Sequence, residues 1–206
     1  ILDNAEYLQS LQEDEQTLLS KLDSPYTKLE GLLFPETYHY TADMSAYSLI
    51  KKAYDHQNEM LSKLWKERDK GLPYRTPYQA LIMASIIEKE SASSNDRDKI
   101  SSVFVNRLKI RMRLQTDPTV IYGMGDRYHG RIRSKDLKEK TAYNTYTMYG
   151  LPPTPIAMPS EDALYAALHP ADTDFLYFVS KGDGTSYFSK SLKEHNNAVN
   201  KYIRGR

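Results

Sequence analysis

Cysteine is absent from the 206 residues of the chain, and histidine occurs only five times. The absence of cysteine excludes a disulfide framework, thiol catalysis and a cysteine-ligated zinc site, but it does not distinguish reducing from oxidising compartments. No two histidines have the four-residue spacing with which a helix places two imidazoles on one zinc ion. A glycine-rich phosphate loop is also missing, so the sequence predicts neither a metal site nor a cofactor.

Long apolar runs and an excess of charge are also lacking. No stretch approaches the ~20 apolar residues that a membrane-spanning helix needs, and the net charge is only +1. Nucleic-acid binders usually carry a clear basic excess, so we expect no nucleic-acid partner. Two local basic runs cover residues 107–113 and 131–135. We expect most of their side chains to be solvated; contact with anionic groups of a substrate is the alternative.

Tyrosine is the residue present in excess, with 17 copies against 5 phenylalanines and 1 tryptophan. A tyrosine ring can stack on a sugar ring while its hydroxyl bonds to sugar hydroxyls. Most of the 17 are nevertheless expected to be half-buried at the surface for packing. The count alone is therefore compatible with a carbohydrate ligand without requiring one.

The pattern of apolar residues predicts a mixture of helices with a small sheet. Helical periodicity covers residues 1–22, 43–70, 76–91, 97–110 and 192–203, with a short helix around 118–122. Asp43 or Ser45 is expected to cap the second of these helices. Residues 174–180 and 185–189 alternate around a glycine-rich turn and predict an antiparallel hairpin. The proline-interrupted residues 32–40 predict an edge strand or an extended segment, and the fold class is α+β.

We interpret the chain as a single catalytic domain over residues 1–206. Residues 1–70 form a helical lead-in with the edge segment, and residues 71–206 form the catalytic core. The stretch 113–159 is rich in proline, glycine, threonine and tyrosine, and a long irregular region of this kind is usually functional. Because the chain opens with Ile1 rather than methionine, we interpret it as a fragment of a protein with an anchor or another domain upstream.

Two glutamates lie near the end of the most apolar predicted helix. Glu88 and Glu90 are two residues apart, so their side chains point about 200° apart and are poor candidates for a cooperating pair. Glu90 follows Ile86 and Ile87 by about one turn, which places it on the apolar side. Desolvation and the helix dipole would both raise the pKa of a carboxyl group there, as a general acid requires. Periodicity alone favours the alternative, a solvated helix end with Lys89 as the partner.

A polar stretch ahead of a proline forms the second group of candidate residues. Gln115, Thr116 and Asp117 offer amide, hydroxyl and carboxylate groups to a ligand, and Asp117 would supply a second carboxylate. The alternative is that Thr116 or Asp117 caps a helix that begins at Pro118. Both roles can coexist in this stretch.

Polar aromatic residues beside an asparagine form the third group. Tyr143, Asn144, Thr145 and Tyr146 suit the recognition of sugar and N-acetyl groups, although composition alone is a weak signal. The proline-rich residues 150–160 follow directly. Their stiffness would reduce the entropy lost on binding.

Several segments together resemble a known family. They are residues 29–38, 84–91, 103–108, 112–123, 142–146, 150–159, 169–171, 177–179 and 195–196. In this order they resemble the YceG-like family of endolytic murein transglycosylases, over most of the chain from Leu29 onward. No single segment is specific, but the set is. Leu32 and Leu33 stand where bulkier aromatic residues are common.

The resemblance implies a bacterial enzyme at the periplasmic face of the inner membrane. Its substrate would be the glycan strand of peptidoglycan, cut internally between N-acetylmuramic acid and N-acetylglucosamine to leave a 1,6-anhydro-muramyl end. Family members carry an N-terminal membrane helix and a LysM-like module, both of which we expect to lie outside this sequence. The membrane would be contacted only through that anchor. Coupling to peptidoglycan synthases is implied by the family alone.

The resemblance also selects one glutamate as catalytic. A Glu-Ser pair is common at the catalytic position of lytic transglycosylases, and Glu90-Ser91 matches it; Glu88 is the secondary candidate. Glu90 would protonate the glycosidic oxygen and then accept the proton of the sugar's 6-hydroxyl. The residues expected to bind substrate are Ser91, Gln115, Thr116, Asp117, Tyr143, Asn144, Thr145 and Tyr146. The alternatives are a hydrolytic muramidase that uses Glu90 with Asp117, and a non-catalytic glycan-binding module.

Overall fold

The computed structural model describes residues 14–41, 44–90 and 96–205. Within these ranges the α-helices are α1 (Glu15–Lys21), α2 (Ala46–Glu67), α3 (Pro77–Glu90), α4 (Arg97–Lys109), α5 (Asp117–Met124), α6 (Glu161–Leu168) and α7 (Leu192–Tyr202). Strands β1 (Tyr177–Ser180) and β2 (Ser186–Ser189) form an antiparallel hairpin in which Tyr177 pairs with Ser189 and Ser180 with Ser186. Short 3₁₀ turns occupy Gly125–Arg127 and Asp136–Lys138. The fold is α+β, which confirms the predicted class.

Most helix ends follow from local capping chemistry. Ser45 caps α2 by accepting a hydrogen bond from the Ser48 amide, whereas the alternative cap, Asp43, lies outside the described residues. Pro77 begins α3, where its missing N–H leaves no helical hydrogen bond unmade. The helix predicted over residues 1–22 is described only from residue 14, where α1 occupies its end.

Residues 32–40 form an extended segment without strand pairing, so the edge-strand interpretation is wrong and its alternative is right. Leu32, Leu33 and Phe34 are all buried. The amide of Phe34 donates to the carbonyl of Ala53 in α2, at 3.0 Å. The segment therefore packs against a helix, and the hairpin gains no third strand from it.

Helix α3 lies at the centre of the core. All its residues from Ala80 to Ile87 are buried, which is typical of a helix that other elements surround on every side. Helix α6 packs along α3, and α2 and α4 also contact it. One hydrophobic cluster extends from Leu18 to Leu168. The described part of the predicted lead-in, residues 14–41 and 44–70, thus shares its core with the residues after it.

The sequence pattern does not predict helix α6. Its eight residues are too short for a clear period, and they follow a long irregular stretch rich in proline. Ser160 caps the helix by accepting from the Ala163 amide. Ala163, Leu164 and Leu168 are fully buried. Tertiary burial against α3 stabilises α6 more than its own length could.

The hairpin packs on α7 and α4 and forms part of the wall of a cavity. Phe178 of β1 meets Phe104 of α4 edge to face, with ring centroids 5.8 Å apart. This contact holds β1 beside α4, near the C-terminal end of α3. The hairpin, α4 and the C-terminal end of α3 therefore meet at Glu90.

Two absences hold for the described ranges. Between residue 14 and residue 205, apart from the two gaps, none of the helices combines the length and apolar character that a membrane span requires. The same part of the chain brings together no set of three or more His, Asp or Glu side chains able to hold a metal ion.

Candidate active site

Glu90 is the last residue of α3, and its side chain is partly buried. Burial raises the pKa of this carboxyl group above its ordinary value. The hydrogen bond that the Thr116 hydroxyl donates to its Oε1 acts in the opposite direction. The charge of Asp117 raises the same pKa, and the charge of Arg107 lowers it. The net shift is upward because desolvation dominates, which favours a protonated acid.

Glu90 opens onto a cavity of about 360 Å³ between α3, α5, the hairpin and α7. Among the predicted binding residues, Gln115, Asp117 and Tyr146 line the same cavity. Thr116 reaches Glu90 directly through its hydroxyl. Ser91 lies outside the described residues. The structure therefore gathers four of the predicted residues around Glu90.

Asp117 is the second carboxylate of the cavity, at the first turn of α5. The Tyr146 hydroxyl donates to its Oδ1 at 2.6 Å. Burial and this hydrogen bond to a carboxylate both raise the pKa of Tyr146 above its ordinary value, so its hydroxyl stays protonated at neutral pH. One oxygen of Asp117 is thereby fixed, and the other has no hydrogen-bond partner among the described residues.

Thr145 does not line the cavity but supports a residue that contacts Glu90. Its fully buried hydroxyl accepts from the Thr116 amide at 3.0 Å and shares a hydrogen bond with the Thr119 hydroxyl at 2.8 Å. The backbone amide of Gln115 donates to the backbone carbonyl of Thr145 at 3.2 Å. Gln115 itself has a φ of 50°, a left-handed conformation that is unusual for a side chain of its type. These bonds hold Thr116 where it can reach Glu90.

Tyr143 and Asn144 are not brought to the cavity. The Tyr143 hydroxyl hydrogen-bonds the Thr154 hydroxyl at 2.8 Å. The buried Asn144 amide donates to three backbone carbonyls between residues 136 and 139, and its Oδ1 accepts from the Tyr146 amide at 2.9 Å. Asn144 thus shapes the loop that presents Tyr146, and its hydrogen-bonding groups are already occupied.

Glu88 faces a different part of the fold from Glu90. Its Oε2 accepts from the Ser160 amide at 3.0 Å, at the start of α6, and its Oε1 accepts from Arg97 Nη2 at 3.4 Å. The two carboxylates therefore bind different elements, as their angular separation on a helix requires. Glu88 joins α3 to α6 and does not line the cavity.

Arg107 is the exception to the expectation that most side chains of the basic runs are solvated. Lys109 and Arg111 are exposed, but Arg107 is only 8% exposed and lines the cavity. The signal was in the sequence: Val103 and Phe104 precede it by four and three residues, so it shares their buried face of α4. Arg107 belongs to a basic run by composition, but its position in the helix places it on the inner face of α4.

Tyr177 and His195 were also missed as site residues. Their rings stack at 5.2 Å in the wall of the cavity. Burial, and to a lesser extent the charge of Arg107, lower the pKa of His195, which is therefore neutral at pH 7. Strand β1 and α7 bring these two residues to α3 only in the folded chain. Sequence spacing could not predict that meeting.

Replacing Thr116 with valine is expected to move the alkaline limb of any Glu90-dependent activity to higher pH. The hydroxyl lowers the pKa of Glu90, so its loss lets burial raise that pKa further. The acid then stays protonated to higher pH before activity falls. Stability should decrease by about 0.5–1.5 kcal/mol, the net value of one hydrogen bond. A pH–rate profile measures the shift.

Thr119→Val is the matched control for this change. Thr119 is buried in the same network but does not contact Glu90. It should lose similar stability without moving the alkaline limb. An equal movement of the limb in both variants would contradict the role of the Thr116 hydroxyl.

Fold and site together define an α+β domain that presents one partly buried acid, at the end of its central helix, to a cleft lined by tyrosine and arginine. The model of the YceG-like family matches residues 2–201 of this chain. The chain therefore belongs to the YceG-like family, which confirms the resemblance.

Curated relatives and a solved structure agree with this assignment. The chain is 46% identical over 176 residues to the endolytic murein transglycosylase of Bacillus subtilis, covering 85% of this chain and 48% of that protein. It is 31% identical over 185 residues to the protein of that name from Streptococcus pneumoniae serotype 2, covering 87% of this chain and 33% of that protein. The chain thus spans half or less of these relatives.

A crystal structure at 2.6 Å of a YceG-like protein from Listeria monocytogenes superposes with a TM-score of 0.75. The two sequences are 36% identical, and the match covers 94% of this chain and 66% of that one. The α+β arrangement described above is therefore shared with an experimentally determined fold.

Proposed function

We propose that this domain cleaves the glycan strands of peptidoglycan as an endolytic lytic transglycosylase. The observation that carries the proposal is the partly buried Glu90 carboxyl group, whose raised pKa suits a general acid at neutral pH. Its position in an open cavity gives a strand access to it. The names of the curated relatives support the substrate and the type of reaction.

One carboxyl group would perform both proton transfers. Protonated Glu90 donates its proton to the glycosidic oxygen as the bond to the anomeric carbon breaks and positive charge develops on the sugar. The Glu90 carboxylate then accepts the proton of the 6-hydroxyl, whose oxygen closes onto the anomeric carbon. Glu90 ends protonated, and the product carries a 1,6-anhydro ring. No second carboxylate is needed, since no water is activated.

Hydrolysis is the second candidate reaction, because a specific contact favours it. Asp117 lines the same cavity as Glu90, and Tyr146 fixes one of its oxygens. A carboxylate held in this way could activate water or stabilise the charged sugar. The strand would then end in a reducing sugar, heavier than the anhydro product by one water molecule.

Mass spectrometry of the digested strands separates these reactions. Uncross-linked peptidoglycan is incubated with the protein and with its Asp117→Asn variant, and the new ends are analysed. Anhydro ends from both proteins are the expected result. Reducing ends that disappear in Asp117→Asn would favour the hydrolase. Binding without any new ends would identify a non-catalytic glycan-binding module and overturn the proposal.

We also infer that the domain works at the periplasmic face of the inner membrane, where its proposed substrate is made. Fractionation of cells that carry the full-length protein tests this inference. The protein should be found with the inner membrane, with this domain accessible to protease from the periplasmic side. Recovery of the domain in the cytosol would contradict it. Coupling to peptidoglycan synthases stays a prediction.

A further inference from the structure

Arg107 is a buried cation that the protein holds firmly. Its Nε donates to the Leu176 carbonyl at 2.7 Å, and its Nη1 donates to the Leu114 carbonyl at 2.7 Å and the Arg113 carbonyl at 3.3 Å. The guanidinium carbon lies 5.1 Å from the centre of the Tyr177 ring. Backbone from both sides of the cavity therefore fixes the orientation of this side chain.

The third nitrogen of the guanidinium, Nη2, makes no hydrogen bond with any residue of the described ranges. It is not among the enclosed polar atoms that lack a partner. Since Nε and Nη1 turn to backbone carbonyls, Nη2 is the nitrogen that Arg107 presents to the cavity that it lines. Two N–H donors are thus available to a ligand at a fixed position.

Arg107 also lacks an acidic partner at ion-pair distance in the described part of the chain. Buried charges in proteins are normally paired, because an isolated one is costly to desolvate. Desolvation lowers the pKa of Arg107 from its ordinary value, although it remains charged at neutral pH. Three carbonyls supply partial negative charge, but none of them supplies a whole counter-charge.

The titratable groups that line the cavity with Arg107 are Glu90, Asp117, Tyr146, Tyr177 and His195, and none of them forms an ion pair with it. Burial raises the pKa of Glu90 and so favours its neutral form, and the charge of Arg107 affects that pKa only weakly. Asp117 accepts from the Tyr146 hydroxyl and is not at ion-pair distance from Arg107. His195 is neutral at pH 7. The cavity therefore offers an anion one rigid cationic donor beside the proposed acid.

We propose that Arg107 binds a carboxylate carried by the muramyl residue of the strand. This inference rests on the proposed function, because it names a feature of that substrate. Muramic acid differs from the other sugar of the strand by a lactyl group, which ends in a carboxylate when it carries no peptide. When a peptide is attached, carboxylates of the peptide are the second source. Both have the chemistry that a guanidinium binds best.

Binding of chemically neutralised strands tests the proposal. Short labelled strands are prepared with their peptides and without them, and a portion of each is converted to methylamides at its carboxyl groups. Affinity is measured by fluorescence anisotropy on the Glu90→Gln variant, so that no strand is cut. The native carboxylate strands should bind on the order of 10- to 100-fold more tightly than their methylamides, as expected for a charge-assisted hydrogen bond.

Each native strand is compared with its methylamide, once with peptides and once without. The comparison in which the native strand binds more tightly identifies the source of the carboxylate. A preference confined to peptide-free strands identifies the lactyl group, and one confined to peptide-bearing strands identifies the peptide. Equal binding of both strands in both pairs would overturn the proposal. Because Arg107 is unchanged in this comparison, its outcome does not depend on whether an Arg107 variant folds.

Adding Arg107→Gln to Glu90→Gln should remove the preference for carboxylates. Arg131→Gln is the matched control, since it removes the same charge from an exposed position outside the cavity lining. Preservation of the preference in Arg107→Gln would assign the carboxylate to another residue. Charge-selective binding by Glu90→Gln, together with a wild-type protein that leaves strands uncut, would overturn the proposed function and leave the Arg107 site standing.

Discussion

Glu90→Gln is expected to slow strand cleavage by about 10²- to 10⁴-fold, the contribution typical of a general acid–base group. Glutamine keeps the shape of the side chain and can still accept from the Thr116 hydroxyl, but its amide is too weak an acid to protonate the glycosidic oxygen. Initial rates on uncross-linked strands, measured with wild-type and variant proteins, give the ratio. A rate within a few-fold of wild type would remove Glu90 from the mechanism.

The same substitution should not destabilise the domain at neutral pH. The pKa of Glu90 is raised in the folded state, so its protonated form favours folding. That contribution is complete below the unfolded pKa and is lost as the pH rises through the folded pKa. Glutamine is neutral at every pH, so stability should match wild type at low pH and equal or exceed it at higher pH. Urea unfolding across pH measures this difference.

Glu88→Gln is the matched control, because it alters the same chemical group two residues away. Glu88 accepts hydrogen bonds from Ser160 and Arg97 and does not line the cavity. We expect its activity to stay within a few-fold of wild type and its stability to fall by about 1.5–3 kcal/mol, as for hydrogen bonds to a charged group. If Glu88→Gln lost activity and Glu90→Gln kept it, the assignment of the catalytic glutamate would be reversed.

The helices with strong periodicity could be predicted from the sequence because local pattern and tertiary burial agree there. Ser45, one of the two predicted caps, caps helix α2, and α3 begins at Pro77. The hairpin follows from alternation around two glycines. Helix α6 could not be predicted, because its eight residues depend on burial against α3 for stability. The extended segment 32–40 depends on α2 in the same way.

The residues of the candidate site also fall into those that local motifs predict and those that only tertiary packing brings in. Glu90, Gln115, Thr116 and Asp117 lie in compact motifs, and the fold brings them together at one cavity. The opposite wall comes from residues far away in sequence, among them Tyr177 and His195. Their position depends on how the hairpin and α7 pack, which no local pattern encodes.

Asn144 shows why a polar composition is a weak guide to ligand contact. A side chain with one acceptor and two donors suits an N-acetyl group, but it also suits a loop with unpaired backbone groups. Residues 136–139 present three such carbonyls, and the two N–H groups of the Asn144 amide are shared among them. The loop then positions Tyr146 beside Asp117. The same chemistry that suggested a ligand thus serves to shape the cavity.

Gly31 links two of the segments on which the family resemblance rests. It has a φ of 80°, and a β-carbon added to it would lie 2.4 Å from Cβ and 2.6 Å from Cγ of Pro155. The next residue, Ile156, donates its amide to the hydroxyl of Ser85 in α3 at 3.0 Å. Close approach at Gly31 therefore lets the proline-rich loop dock on the helix that carries Glu90.

Gly31→Ala is consequently expected to destabilise the domain by about 2–5 kcal/mol. Roughly 1–2 kcal/mol comes from forcing alanine into a left-handed conformation, and about 1–3 kcal/mol comes from overpacking against a ring that cannot flex away. Gly71→Ala separates the two causes, because Gly71 has a φ of 75° with no atom within 4 Å of the added β-carbon. It should show only the conformational cost. Equal losses of unfolding free energy in urea would mean that the loop yields without cost and that contact with Pro155 does not hold it on α3.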